Sequence, residues 1–194
     1  MAVIIGVDKL HYAIVTTDTD SETTYEASVS VPNVTEVGLE FNGINQIFRA
    51  DNGAAYVYTG VGEVDLAINL GDLPPDDYAE LIGATKVDGK ISYKDGAEAP
   101  DVAVGFRTLK ADGSYRYMWI YKGKFTIPNV DATTKEADVE FQPQVIEFKG
   151  YARKSDNHVF QRIDDDDSTL PEGDLETLPT AFFDDPDFTP TPTP

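Results

Sequence analysis

His11 and His158 are the two histidines of this 194-residue chain. Neither has a second ligand at metal-binding spacing, so a structural or surface role is expected for both. No serine pairs with either of them as nucleophile and base. With 35 Asp and Glu residues, an acid pair for glycoside hydrolysis can be imagined anywhere and is therefore indicated nowhere. The acidic runs Asp18-Thr19-Asp20-Ser21-Glu22 and Asp164 to Asp167 lack the glycine and distal glutamate of a helix-flanked calcium loop, and read as a solvated loop and a solvated tail. The chain has no cysteine, which excludes disulfides, thiol nucleophiles and thiolate metal sites. Glycine-rich phosphate cradles are missing. Asn33-Val34-Thr35 matches a glycosylation acceptor, but no secretory signal accompanies it. These residues predict a protein that is not an enzyme and has no cofactor or metal.

The acids carry a different signal when read with their neighbours. In Glu36-Val37-Gly38-Leu39-Glu40-Phe41, Glu36 and Glu40 fall opposite Val37, Leu39 and Phe41. Glu63-Val64-Asp65-Leu66-Ala67-Ile68-Asn69-Leu70 repeats the arrangement, with Glu63 and Asp65 opposite four apolar residues. A period of two places one face of a strand in a core and the other in water. By itself this is what an ordinary outer surface looks like.

Such strands fill most of the chain. Short runs at 12–16, 25–31, 35–41, 45–50, 54–59, 63–70, 90–93, 102–109, 115–125, 137–142, 144–148 and 159–162 read as strands, separated by turn pairs such as Pro32-Asn33, Asn42-Gly43 and Asp88-Gly89. One helix is predicted over 74–83, with prolines and acids in its first turn and Gly83 at its end; Tyr78, Leu81 and Ile82 form its apolar face. The expected fold is mainly β, a sandwich or barrel of two packed antiparallel sheets with one short flanking helix.

The 102–125 stretch predicts a long hairpin turning at Asp112-Gly113. Its return strand carries Tyr115, Tyr117, Trp119 and Tyr121 on one face, and Arg116, Met118, Ile120 and Lys122 on the other. A half-buried strand usually has one apolar and one polar face, and here the second face is mixed and amphipathic, too sticky to leave bare. Tyr115, Tyr117, Trp119 and Tyr121 are therefore candidate subunit contacts, the alternative being a strand covered by the chain's own loops.

The run Val-Ala-Val-Gly-Phe-Arg-Thr-Leu (102–109) followed by Tyr-Arg-Tyr-Met-Trp-Ile-Tyr-Lys-Gly-Lys-Phe (115–125) resembles the major tail tube protein of long, non-contractile phage tails, above all in phages and prophages of Gram-positive bacteria. Upstream, Gly62-Glu63-Val64-Asp65-Leu66, Asp72-Leu73-Pro74 and Glu80-Leu81-Ile82-Gly83 add to the resemblance. Downstream, so do Thr134-Lys135, Glu140-Phe141-Gln142 and Ile146-Glu147-Phe148-Lys149-Gly150. It spans roughly residues 5 to 162, and its specificity lies in order and spacing rather than in one motif.

The resemblance implies a structural virion protein, assembled in the host cytoplasm, that forms stacked homohexameric rings. Strands of each subunit would complete an inter-subunit barrel around a DNA channel. Glu36, Glu40, Glu63 and Asp65 then become candidates for the lumen. Four strands from each of six subunits, ~4.8 Å apart and tilted ~40°, close a backbone ring roughly 48 Å across, wide enough for a duplex. Like charges on wall and phosphate would let DNA pass without specific binding. Implied partners are other copies of the chain and the tape measure, tail terminator and distal tail proteins. The alternatives are a tube subunit of a contractile tail or secretion device, and a monomeric β-sandwich binding or adhesion module.

Charge and composition bound the rest. The net charge is −20, and after Arg162 the sequence carries acids and no basic residue. Such a chain is not built to grip a phosphate backbone. No apolar run has the length of a membrane span, and Ala2 to Val7 is a short apolar stretch expected as an edge strand or arm. A tube domain over 1–163 and an acidic, Pro/Thr-rich arm over 164–194 are expected. The arm's composition predicts a flexible or polyproline-like segment whose Leu175, Leu178, Phe182, Phe183 and Phe188 can dock on a neighbour.

Overall fold

The structure, a computed structural model, describes residues 3–50, 53–60, 62–128 and 144–191. In chain order the elements are β1 (Ile4–Asp18), β2 (Thr23–Tyr25), β3 (Val29–Val31), β4 (Val34–Phe41), β5 (Ile44–Ala50), β6 (Gly53–Gly60), β7 (Val64–Leu70), α1 (Pro75–Leu81), β8 (Thr85–Val87), β9 (Lys90–Ser92), β10 (Val102–Lys110), β11 (Tyr115–Phe125), β12 (Gln144–Gly150), β13 (Phe160–Asp164) and α2 (Glu172–Asp184). The predicted strand over 137–142 lies outside the described residues.

The expected hairpin is the spine of the fold. β10 and β11 pair from Leu109↔Tyr115 to Val102↔Gly123, and Gly113 takes the positive φ that the turn requires. β11 is long enough to serve two layers. Its first half, Arg116–Ile120, pairs with β13, and its last residues, Gly123–Phe125, pair with β12. At the crossing Gly123 faces Gly150, and a Cβ on Gly123 would sit 2.3 Å from the Lys149 carbonyl oxygen. Only glycine allows the two backbones to meet so closely. The main sheet runs β2-β1-β10-β11-β12-β7-β4 and folds over into a sandwich. Among the described residues it does not close into a barrel, since β2 and β4 are its ends.

The sandwich interior is filled from both layers. Val64, Leu66, Ile68 and Leu70 of β7 and Phe148 of β12 meet Val104, Phe106 and Ile120 of the spine, all at or below 2% exposure. Burial of this order stabilises by ~1.5–3 kcal/mol per large side chain, which is why period-two alternation sets the register so firmly. β1 is longer than the predicted 12–16. It begins at Ile4 and crosses a bulge where Lys9 has positive φ, so the apolar residues Ile4 to Val7 supply its start.

α1 forms where the prolines and acids place it, with Pro75 in its first turn. Leu81 and Ile82 are buried as expected, and Tyr78 is half-buried. The Tyr12 hydroxyl lies 3.0 Å from Asp77 Oδ1 and 2.9 Å from Glu80 Oε2, tying α1 to β1.

The largest departure from expectation is at the C-terminal end. Residues 172–184 form α2, a second helix, and its Leu178, Phe182 and Phe183 are buried in a second core with Ala103, Tyr117 and Trp119. Leu175, Leu178, Phe182 and Phe183 fall at helical spacing. Pro179 inside the helix and the Thr-Pro composition beyond it hide that period. The helix is poor in isolation, with an internal proline, no side-chain N-cap bond and no basic residue in its last turn. It is held by what it covers.

One prediction follows from the second core. The Trp119 indole lies flat on Gly105, its cross-strand partner, so that a Cβ at residue 105 would meet ring atoms at 2.6 Å. Gly105→Ala should cost ~1–3 kcal/mol by overpacking. The chain has a single tryptophan, so a denaturant titration read by its fluorescence measures the loss directly; an unchanged midpoint would contradict the packing.

Candidate functional site: the acidic outer face of β4, β7 and β12

Alternation along three neighbouring strands builds this face. Register places Glu40, Asp65 and Lys149 in one cross-strand row, Gly38, Ala67 and Glu147 in the next, and Glu36, Asn69 and Val145 in the third. The intervening residues Leu39, Leu66 and Phe148, and Val37, Ile68 and Ile146, point into the core. Gly38 and Ala67 are small, so the middle row leaves a shallow depression of about 410 Å³ walled by Glu40, Asp65, Glu147 and Lys149.

Of the four candidate lumen residues, Glu36 and Glu40 are exposed on this face and Asp65 is half-buried on it. Glu63 is exposed just before β7, where its carbonyl accepts the Asn42 N–H at 2.9 Å. Polar neighbours hold two of the acids: the Asn69 amide donates to Glu36 Oε2 at 2.8 Å, and the Asn42 amide to Asp65 Oδ2 at 2.6 Å. Lys149 Nζ stands 3.7 Å from Asp65 Oδ1, which has no hydrogen bond of its own. Sequence reasoning missed Glu147, although Gln144-Val145-Ile146-Glu147-Phe148-Lys149 shows the same alternation.

The face has no nucleophile or paired base. What its chemistry can do is repel anions. Five carboxylates (Glu36, Glu40, Glu63, Asp65 and Glu147) stand against the single ammonium of Lys149.

The other expected sites have structural partners. No cluster of three or more His, Cys, Asp or Glu residues suited to a metal occurs among the described residues. Asp18 is buried against Lys122, with Nζ 2.5 Å from Oδ2, and also accepts from Thr23 and the Lys154 N–H. Burial disfavours both charges, but the bonds between them outweigh it, holding Asp18 below and Lys122 above its ordinary range. Asp164 pairs with Arg116 and Arg162, and Asp166 with Lys110 at 2.5 Å. His11 stacks on Phe183 with ring centroids 4.4 Å apart, and His158 pairs with Asp156 at 2.9 Å.

The aromatic face of β11 is not bare. Tyr117 and Trp119 are 1% and 0% exposed, Tyr121 is buried and Tyr115 half-buried. α2 and the chain after it cover them. Trp119 Nε1 donates to the Phe182 carbonyl at 2.6 Å, Gln161 Nε2 donates to that of Phe188 at 2.8 Å, and Arg153, stacked on Tyr121, pairs with Asp187. The arm is docked on its own chain, and the aromatic strand is covered from within, which is the alternative reading of these residues. Each explains the other, because the arm's phenylalanines are the cover that the aromatic strand requires.

Thus the sandwich has an acidic sheet face on one side and a helix-covered sheet on the other. No match to the chain is found among curated proteins. Residues 12–178 match the family model described as phage tail tube protein. That match covers most of the chain and extends from β1 into α2. The chain belongs to the phage tail tube protein family.

Proposed function

We propose that this protein is the structural subunit of a long, non-contractile phage tail, forming stacked hexameric rings whose acidic lumen conducts DNA during ejection. Family membership implies a component of the virion tail that assembles with copies of itself into a tube. The hexamer, the lumen and the DNA path belong to the proposal. The observation that carries the lumen is the β4–β7–β12 face, where Glu36, Glu40, Asp65 and Glu147 share one surface of a sheet whose other surface is core. Such a wall repels phosphates and gives a duplex nothing to adhere to. Tape measure, terminator and distal tail proteins are the partners expected at its ends and inside it, and the host cytoplasm is the place of assembly. The role is architectural rather than catalytic.

Negative-stain microscopy of concentrated protein tests the reading. Rings or tubes with an open axial channel are expected. Uniform small particles at every concentration would point instead to a monomeric binding module.

A further inference from the structure

Resting on that reading, we infer that copies of the chain meet at the open side of the sandwich, in the groove between β4 and β13, and not at the aromatic face of β11. The acidic face repels a like surface. The opposite side is covered by α2, whose exposed Glu172, Glu176 and Asp184 are again acidic, as is Asp185 just after it. The open side differs in each respect. Its groove, of about 510 Å³, is lined mainly by apolar residues such as Val37, Phe41, Phe106, Met118 and Phe160; Glu36 also lines it, as do Arg116 and Arg162, both paired with Asp164. Nearby, Val3, Ile4 and Ile5 are 73%, 47% and 64% exposed, and Phe41 is 43% exposed. A soluble subunit rarely leaves so much apolar surface together unless something covers it.

The occupant is a second copy of this chain, for two reasons. Among the described residues β4 pairs with β7 alone and β13 with β11 alone, so two unpaired strand edges flank the groove and invite a further strand. Thr108, 6% exposed, lines the groove, and its buried hydroxyl has no hydrogen-bond partner; a strand packed into the groove brings backbone donors and acceptors beside it. A groove filled by a different surface of the next copy is a head-to-tail contact, the kind that closes rings.

The test uses Ile4→Asp and Phe41→Asp in the full chain, both at exposed positions and therefore expected to fold. At concentrations where the wild type forms rings or tubes, each variant should sediment as a monomer with unchanged Trp119 fluorescence. Because the chain has no cysteine, Phe41→Cys gives a second readout that does not depend on the aspartate variants folding. Its thiol should be alkylated at least tenfold more slowly in assembled than in dispersed protein, or the substitution should itself block assembly. Normal assembly by both aspartate variants, or equal thiol reactivity in the two states, overturns the inference while leaving the tube reading intact. A wild type that never assembles overturns both.

Discussion

Truncation after Asp164 is expected to leave a protein that aggregates or unfolds. The segment removed includes Leu178, Phe182 and Phe183, each at most 3% exposed, and their loss uncovers Ala103, Tyr117 and Trp119. Three such side chains contribute ~5–8 kcal/mol by area, an upper figure because denatured chains already bury some surface. That is comparable to the ~5–15 kcal/mol total stability of an ordinary domain. The polar fastenings go too: the Trp119 indole loses its carbonyl acceptor and Arg153 its Asp187 partner. A milder variant separates packing from gross loss of chain. Phe182→Ala should cost ~3–5 kcal/mol, with a red-shifted Trp119 emission as water reaches the ring. A truncated protein with wild-type melting and emission would show that α2 does not stabilise the sandwich.

The end of β13, just before that segment, sets an acid limit. Burial pushes the Asp164 carboxyl up, but hydrogen bonds from Arg162 and Arg116 outweigh it and hold it at about 2. A carboxyl depressed in the folded state stabilises above its unfolded value and loses that contribution as pH falls toward the folded one. The Asp164 contribution should therefore be complete above about pH 4 and disappear toward pH 2. Asp164→Asn should flatten that part of a stability-against-pH curve.

The second large effect concerns the channel. Glu36→Lys combined with Glu40→Lys changes two exposed residues on one face of β4, so folding should survive. In a hexameric ring the pair repeats six times and turns a repelling wall into a basic one. Basic groups displace counterions from phosphates, and the resulting affinity falls steeply with salt. Tubes of the variant should retain duplex DNA at low salt and release it at high salt, where wild-type tubes retain none. In a phage carrying it, tails should assemble and ejection should stall. Unchanged ejection from normal tails would place this face elsewhere than the lumen.

Most of the fold was legible because β7, β10 and β11 advertise their period. Val64 to Leu70 alternates without interruption, and Asp112-Gly113 marks the turn between the other two. The same alternation exposed Glu36, Glu40 and Asp65, since residues opposite a core must face out. Two things were hidden. Glu147 sits on a strand whose alternation was equally visible, but its place beside Ala67 depends on cross-strand register, which is a tertiary fact. The helix over Glu172–Asp184 was hidden by composition. Asp164 to Asp166 read as solvated charge because their partners Arg116, the Tyr115 N–H and Lys110 lie some fifty residues away in sequence. Propensity is local, and α2 is stabilised by contacts that are not.

The proposed lumen requires the β4–β7–β12 face to line the channel of a tube. A helical reconstruction of assembled protein by electron cryomicroscopy tests it most directly. Six subunits per ring are expected, with Glu36, Glu40 and Glu147 facing the axis and α2 in the outermost layer. Density that places α2 against the channel, with the acidic sheet face outward, would contradict it.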